Sequence, residues 1–404
     1  MTKYLKKIGI IVSPLVFVSA FLIRIVLSGT TFHVDLSALV LAGNYINRGH
    51  VLTFYDQVRL LPQGDSLKQI YTDKIFNYQP LSYLVPSLFY LPFKSFLESI
   101  SQSLIRDSRN LLLPGHPFEP VLLIYKLPFL VFDLLTAIFI TRLVKEESKK
   151  KLLQLLWLFN PVAIFVTTVM AQTDIMVVFF LLLALICLKE NNLYRAAIFT
   201  AISILFKPVG ILLIPLLAAA ALPESFSKAA KIFFLGFGIY FLGILPYLSS
   251  VSFRTYALFA EQTGKSTFAG ITIASGTSIP WFFIAYATVI VLLLRRRLSV
   301  VDGFGIALAS SIIFSHFHPQ WFIWLTPWLM LKTISPKLFP LYFGALFSWF
   351  LILLSFDFSL HLASFWWLGF IPNRYLFPGS EVWTNLILAG RAFLIPVFFL
   401  LPHD

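Results

Sequence analysis

Charge is what this 404-residue sequence has least of: Asp, Glu, Lys and Arg together make up 12% of it. Set against 58% hydrophobic residues, so thin a polar content excludes a soluble chain of this length, and no stretch is polar enough to form a separate soluble domain. Acids are the scarcer sign, 18 against 31 Lys plus Arg. Cysteine is almost missing. The single Cys187 excludes an intrachain disulfide, says nothing of compartment, and in its apolar run reads as small core filler. No inverted internal repeat of the kind many transporters carry is visible. No small-x-small cleavage site follows the first apolar run, about residues 8–28, which therefore reads as a retained signal anchor.

What the sequence does contain is apolar chain in helix-length pieces. Stretches near twenty residues recur from end to end, the length that a bilayer core of about 30 Å asks of each helix. An all-α polytopic membrane protein follows, one integral-membrane unit over residues 1–404. The net charge of +13 does not point to nucleic acid, because the basic residues fall in short clusters between apolar runs. Lys3, Lys6 and Lys7 form one cluster, Lys149 to Lys151 and Arg295 to Arg297 two more, and Lys332 with Lys337 another. By the positive-inside rule these ends are cytoplasmic.

Parity then places Asp35 outside, just past span one. A span at 121–142 ends in Arg142 and Lys145, so the number of crossings between Asp35 and Lys145 is odd. Residues 81–97 are short and carry Pro86 and Pro92, and so read as a juxtamembrane or re-entrant piece of one long external loop, about 29–120. Beyond Lys151, spans are expected near 152–169, 174–188, 194–206, 208–222, 231–249, 279–294, 302–315, 320–333, 338–354 and 384–401. That makes about twelve transmembrane helices, with 121–335 as the core and 336–404 as carboxyl-terminal helices.

The polar residues of interest all land on the external side. The first loop brings Thr31-Phe32-His33-Val34-Asp35-Leu36, Phe54-Tyr55-Asp56 and Asn77-Tyr78-Gln79-Pro80-Leu81. Later turns bring Gln172 with Asp174, then Lys207, then His316 and His318. Each residue alone has an ordinary explanation: Asp35 and Asp174 as helix caps, Gln172 as a solvated amide, Lys207 as a snorkelling side chain. Lys207 stands between apolar runs, where an ammonium is costly unless it reaches the interface or meets an anion. His316 and His318 lack the further ligand that a zinc site needs. The carboxylates leave room for a divalent metal without making a site by themselves. Lys126 and Asp133, seven apart, share a helical face, and Asp133 reads as a structural polar contact inside the bundle.

Read in order, these segments resemble bacterial integral-membrane glycosyltransferases of the GT-C class. Asp35, Phe54-Tyr55-Asp56, Asn77-Tyr78-Gln79-Pro80-Leu81 and Lys126-Leu127-Pro128 with Asp133 look like the start of such an enzyme. Leu158-Phe159-Asn160-Pro161 and Ala171-Gln172-Thr173-Asp174 are similar to the Phe-Asn-Pro and Trp-Gly-Gln-x-Asp segments, and Phe206-Lys207-Pro208 to the Lys-Pro turn. His318-Pro319-Gln320-Trp321-Phe322-Ile323-Trp324 resembles the Gln-Tyr-Phe-Leu-Trp stretch of the first mannosyltransferase of GPI assembly. Ala171 stands where a Gly is usual, and Gln79 where the pattern has Pro; residues 336–404 resemble nothing specific.

The resemblance, which covers about residues 8–335, implies an inverting transfer of a hexose such as mannose from a polyprenyl-phosphate donor to a lipid, glycan or protein acceptor. The site would lie on the external face of a bacterial inner membrane, in a GT-C-like bundle whose first external loop carries juxtamembrane helices. The residue types fit that chemistry. A carboxylate must take the acceptor hydroxyl's proton, a role open to Asp35, and a cation must meet the leaving phosphate, a role open to Lys207 with His316 or His318. Asp56, Tyr78, Gln172, Asp174 and Gln320 complete the expected substrate contacts. Two rivals come from other classes. One is a secondary transporter or lipid flippase, which would carry its polar residues near the bilayer midplane. The other is a non-catalytic partner in a membrane complex, which would need none of these acids.

Overall fold

A computed structural model describes residues 9–97, 119–260, 269–274, 276–315, 318–356, 364–365 and 380–399. Helix α1, Pro14–Thr30, starts where Ser13 accepts the Val16 N–H and Pro14 stands at the first helical position. It stops at Thr31, whose extended backbone breaks the helix, and α2, Asp35–Asn47, leaves at 83° to it. Two short helices then cross the loop, α3 at Ser66–Tyr71 and α4 at Leu81–Tyr90. Asp65 caps α3 by accepting from Leu67 and Lys68 N–H at 2.9 and 3.4 Å. Helix α4 has ten residues, about 15 Å by its rise, and is prolonged by a 3₁₀ turn at Leu91–Phe93. It packs against α2 and against α5, Pro120–Phe139.

Behind this loop stands the core. Helix α6, Glu147–Leu158, is followed by a one-turn helix and a π turn, Phe165–Val169, and then by α7, Asp174–Lys189. Nearly every side chain of α7 is buried, because it packs at once on α5, on α8 (Leu193–Ile204) and on the 3₁₀ segment Pro319–Trp324. A helix apolar all round has to sit at the centre of its bundle. Around it run α9 (Leu213–Ala221), α10 (Phe226–Ile244), α11 (Trp281–Leu294), α12 (Val300–Phe314), α13 (Thr326–Thr333), α14 (Phe339–Leu354) and α15 (Ser380–Phe399). An antiparallel hairpin, Gly270–Ala274 with Thr277–Pro280, precedes α11. Close approach decides one glycine: a Cβ on Gly305 would lie 2.0 Å from the Trp328 indole, so only glycine lets α12 lie on that ring.

Among the described residues two helices are long and apolar enough to cross a membrane, Pro120–Leu143 and Phe226–Tyr247. Two bent pairs, α1 with α2 and α6 with Pro161–Val169, raise that to four if each pair is one span. Six further apolar helices have 10–17 residues. The helices fall where the apolar runs place them, but by length alone they do not reach the expected dozen crossings.

Candidate active site

Four stretches of chain meet around Asp35. The first is its own: Asp35 opens α2, where the positive helix end favours a carboxylate. The second is the end of α3. There Tyr71 donates its hydroxyl to Asp35 Oδ1 at 2.5 Å, and Thr72, at φ 55°, ends the helix at once. The third follows the π turn. Gln172 donates from Nε2 to Asp35 Oδ2 at 2.7 Å, so both carboxylate oxygens are held. His33, two residues before Asp35, is the remaining neighbour, with Nδ1 3.3 Å from the Asp35 N–H and 3.6 Å from Oδ2.

The fourth stretch is the turn between α8 and α9. Lys207 Nζ lies 2.5 Å from Asp174 Oδ2, and the ammonium also sits 4.1 Å over the Tyr78 ring. A cation on an aromatic face gains about 0.5–2 kcal/mol. The sequence leaves Lys207 a choice between snorkelling and meeting an anion, and the structure shows the second, with the anion supplied by the chain itself. The Trp324 indole stands beside the same Asp174 carboxylate without a hydrogen bond of ordinary geometry. Tyr78 is fixed in turn, its carbonyl accepting from Tyr55 Oη at 2.7 Å and its N–H donating to Tyr83 Oη at 3.1 Å. Leu81 N–H on Leu205 O and Ser82 Oγ on Phe206 O, at 2.9 and 2.7 Å, pin this part of the loop to the Lys207 turn.

Burial separates the two acids. The Asp174 side chain is sealed at 0% exposure and Lys207 at 4%, whereas the Asp35 carboxylate keeps 25%. Burial works to raise the Asp35 pKa, but His33, the hydrogen bonds from Tyr71 and Gln172, and the charge of Lys207 outweigh it and leave it below the ordinary value. Burial lowers His33 against the opposing pull of the Asp35 carboxylate. Burial and then the neighbouring Asp35 raise Tyr71 well above the ordinary phenol, so its hydroxyl stays a donor. The result is an ionised, partly open carboxylate held by two donors, beside a closed ion pair.

Other expected site residues lie differently. Asp56 accepts the Ser252 N–H at 3.2 Å, tying the first loop to the segment after α10. The His318 ring packs on Trp321 and Phe356, at 5.5 and 5.7 Å between centroids. Gln320 is buried at 5% exposure in the 3₁₀ segment that packs on α7, and its Oε1 has no hydrogen-bond partner among the described residues. His316 lies outside the described residues. Among those residues no three His, Cys, Asp or Glu side chains gather as a metal group would require.

Asp133 takes up the internal contact expected of it, but not with Lys126. Arg24 Nε and Trp157 Nε1 donate to its two oxygens at 2.5 and 2.7 Å, and Arg24 Nη1 also reaches Leu158 O at 2.6 Å. Arg24 and Tyr71 are partners that the sequence does not single out. For Tyr71 a signal existed, the Gly64-Asp65-Ser66 start of a short helix that carries it.

No family model matches the chain. Over 95 residues it is 32% identical to GPI mannosyltransferase 1 of Candida albicans, a match covering 22% of this chain and 24% of that protein. The chain thus spans about a quarter of the length of the curated relative it matches.

Proposed function

We propose that this protein is a membrane glycosyltransferase that moves a mannosyl group from a polyprenyl-phosphate donor to an acceptor hydroxyl at the external face, with inversion. The observation that carries the reading is the setting of Asp35: an accessible carboxylate, ionised, and oriented by Tyr71 and Gln172. The likeness to a mannosyltransferase, though partial, supports the same class of chemistry.

In this mechanism the acceptor oxygen attacks the sugar's anomeric carbon from the face opposite the phosphate. The bond from that carbon to the phosphate oxygen breaks, its electron pair leaves with the lipid phosphate, and the acceptor's proton goes to Asp35. General-base help of this kind is worth about 10²–10⁴-fold. The Lys207–Asp174 pair is overall neutral, so Lys207 acts as a fixed dipole behind the leaving group rather than as a bare cation. Tyr78, Gln172, Gln320, Asp56, His316 and His318 are the further substrate contacts of this scheme. A divalent metal is not required by this scheme.

The test is turnover by the purified protein in lipid vesicles supplied with a synthetic polyprenyl-phosphate mannose and a lipid acceptor. Release of polyprenyl phosphate coupled to a new glycoside is the expected result. Movement of intact donor across the vesicle with no glycoside formed would replace the reading with a flippase.

A further inference from the structure

Among the described residues of the helical bundle, the buried cations Arg24, Lys207 and Lys332 each have a carboxylate within 2.7 Å. Lys126 does not. It lies in the first half of α5 at 0% exposure, and its ammonium donates to three neutral oxygens: Thr31 O at 2.5 Å, Thr31 Oγ1 at 3.0 Å and Thr168 O at 2.6 Å. A charge held inside an apolar helix by neutral groups is costly, and such residues mark function more often than packing.

The two residues it holds explain what it does. Thr31 ends α1 four positions before Asp35, and Thr168 lies in the π turn four positions before Gln172. Thr31 Oγ1 is itself 3.1 Å from Thr168 O, so the two strands of chain touch at this point and diverge from it. They meet again at the Gln172 Nε2 to Asp35 Oδ2 contact. π turns inside helical segments cluster at functional sites because they re-aim the chain that follows.

We propose that Lys126 is the positioning residue of the site: by clamping Thr31 to Thr168 it sets the distance between the loops that carry Asp35 and Gln172. Its role in catalysis rests on the reading of Asp35 as the base, whereas the clamp itself does not. Lys126 touches no substrate. It acts through the Gln172 hydrogen bond, one of the groups that face the Asp35 carboxylate together with Tyr71, His33 and Lys207.

The experiment reads Asp35 directly. Dicyclohexylcarbodiimide modifies carboxyl groups in apolar surroundings in their protonated form, and the Asp35 peptide is followed by mass spectrometry across a pH series on the full chain in vesicles. Losing the Gln172 contact should move the onset of labelling upward by about one pH unit. Lys126→Met and Gln172→Ala should each produce this shift, and the double variant should shift no further than either alone. Lys126→Gln keeps two N–H donors and should fall between Met and the natural residue; it also serves if the Met variant does not accumulate. An unchanged onset in the Lys126 variants, or a shift that adds to that of Gln172→Ala, would overturn the clamp. In the transfer assay, Lys126→Met should lower kcat by about 10²-fold with donor KM little changed, as a misplaced base does. If Asp35→Asn retains full transfer, the base assignment falls while the labelling result still decides the clamp.

Discussion

The Gln172 side chain and the Asp35 carboxylate are 137 residues apart in sequence and 2.7 Å apart in space. That contact joins the first polar loop to the entrance of the central helix α7, and the candidate site exists because of it.

Asp35→Asn keeps the side chain's shape and removes the proton acceptor. Transfer should fall by about 10²–10⁴-fold while expression and donor binding hold. Single-turnover measurement with excess enzyme isolates this chemical step. A variant with transfer near the natural rate would move attention to Asp56.

The pH profile should carry the mark of a lowered Asp35 pKa. With Asp35 as the proposed base, which works ionised, kcat/KM falls only as pH drops through its folded-state value, below the ordinary carboxylate range. Tyr71→Phe removes one donor to that carboxylate, worth about 1.5–3 kcal/mol, and should move the acid limb upward by roughly one to two units. The same linkage governs stability. A folded pKa below the unfolded one gives stabilisation that is complete above the unfolded value and lost as pH falls through the folded value. A limb that stays in place in Tyr71→Phe would mean the hydrogen bond does not tune the base.

Lys207→Met should destabilise the protein by about 3–5 kcal/mol, because it strands the sealed Asp174 charge. Adding Asp174→Leu should recover most of that loss, since a buried ion pair replaced by apolar groups is close to neutral. Thermal unfolding in detergent compares the two. Equal loss in both would show that the pair's geometry, rather than the uncompensated charge, is what the fold needs.

Topology is testable with one cysteine. Cys187 is buried, so a new thiol at the exposed Gln63 would be the one that reacts. An impermeant maleimide should label Gln63→Cys in intact cells. Protection in cells with labelling in inverted vesicles would put the first loop, and Asp35 with it, on the cytoplasmic side.

The helices were legible because apolar runs and their breaks are local: the run expected at 174–188 is Asp174–Lys189, and that at 231–249 is offset by five residues from the helix Phe226–Ile244. The polar residues that meet were legible as candidates, since Asp35, Gln172, Asp174, Lys207 and Tyr78 all stand at breaks between apolar runs. Which of them pair was not. Lys207 and Asp174 approach from different helices, and Arg24 looks like any interruption of a first span until Asp133 arrives from 109 residues away. Nor does local sequence say which of 15 tyrosines will reach Asp35, because that depends on how α3 lies across the loop.

Ala171 has φ 53°, a left-handed backbone that costs an alanine about 1 kcal/mol relative to glycine. The methyl group that makes the turn expensive also makes it narrow, for alanine has few other conformations into which this bend can drift. A glycine here would ease folding and blur the direction in which Gln172 leaves the turn. The chain therefore trades a small part of its margin against unfolding for a stiffer aim at Asp35, so a glycine at this position would gain stability and loosen the Gln172–Asp35 contact.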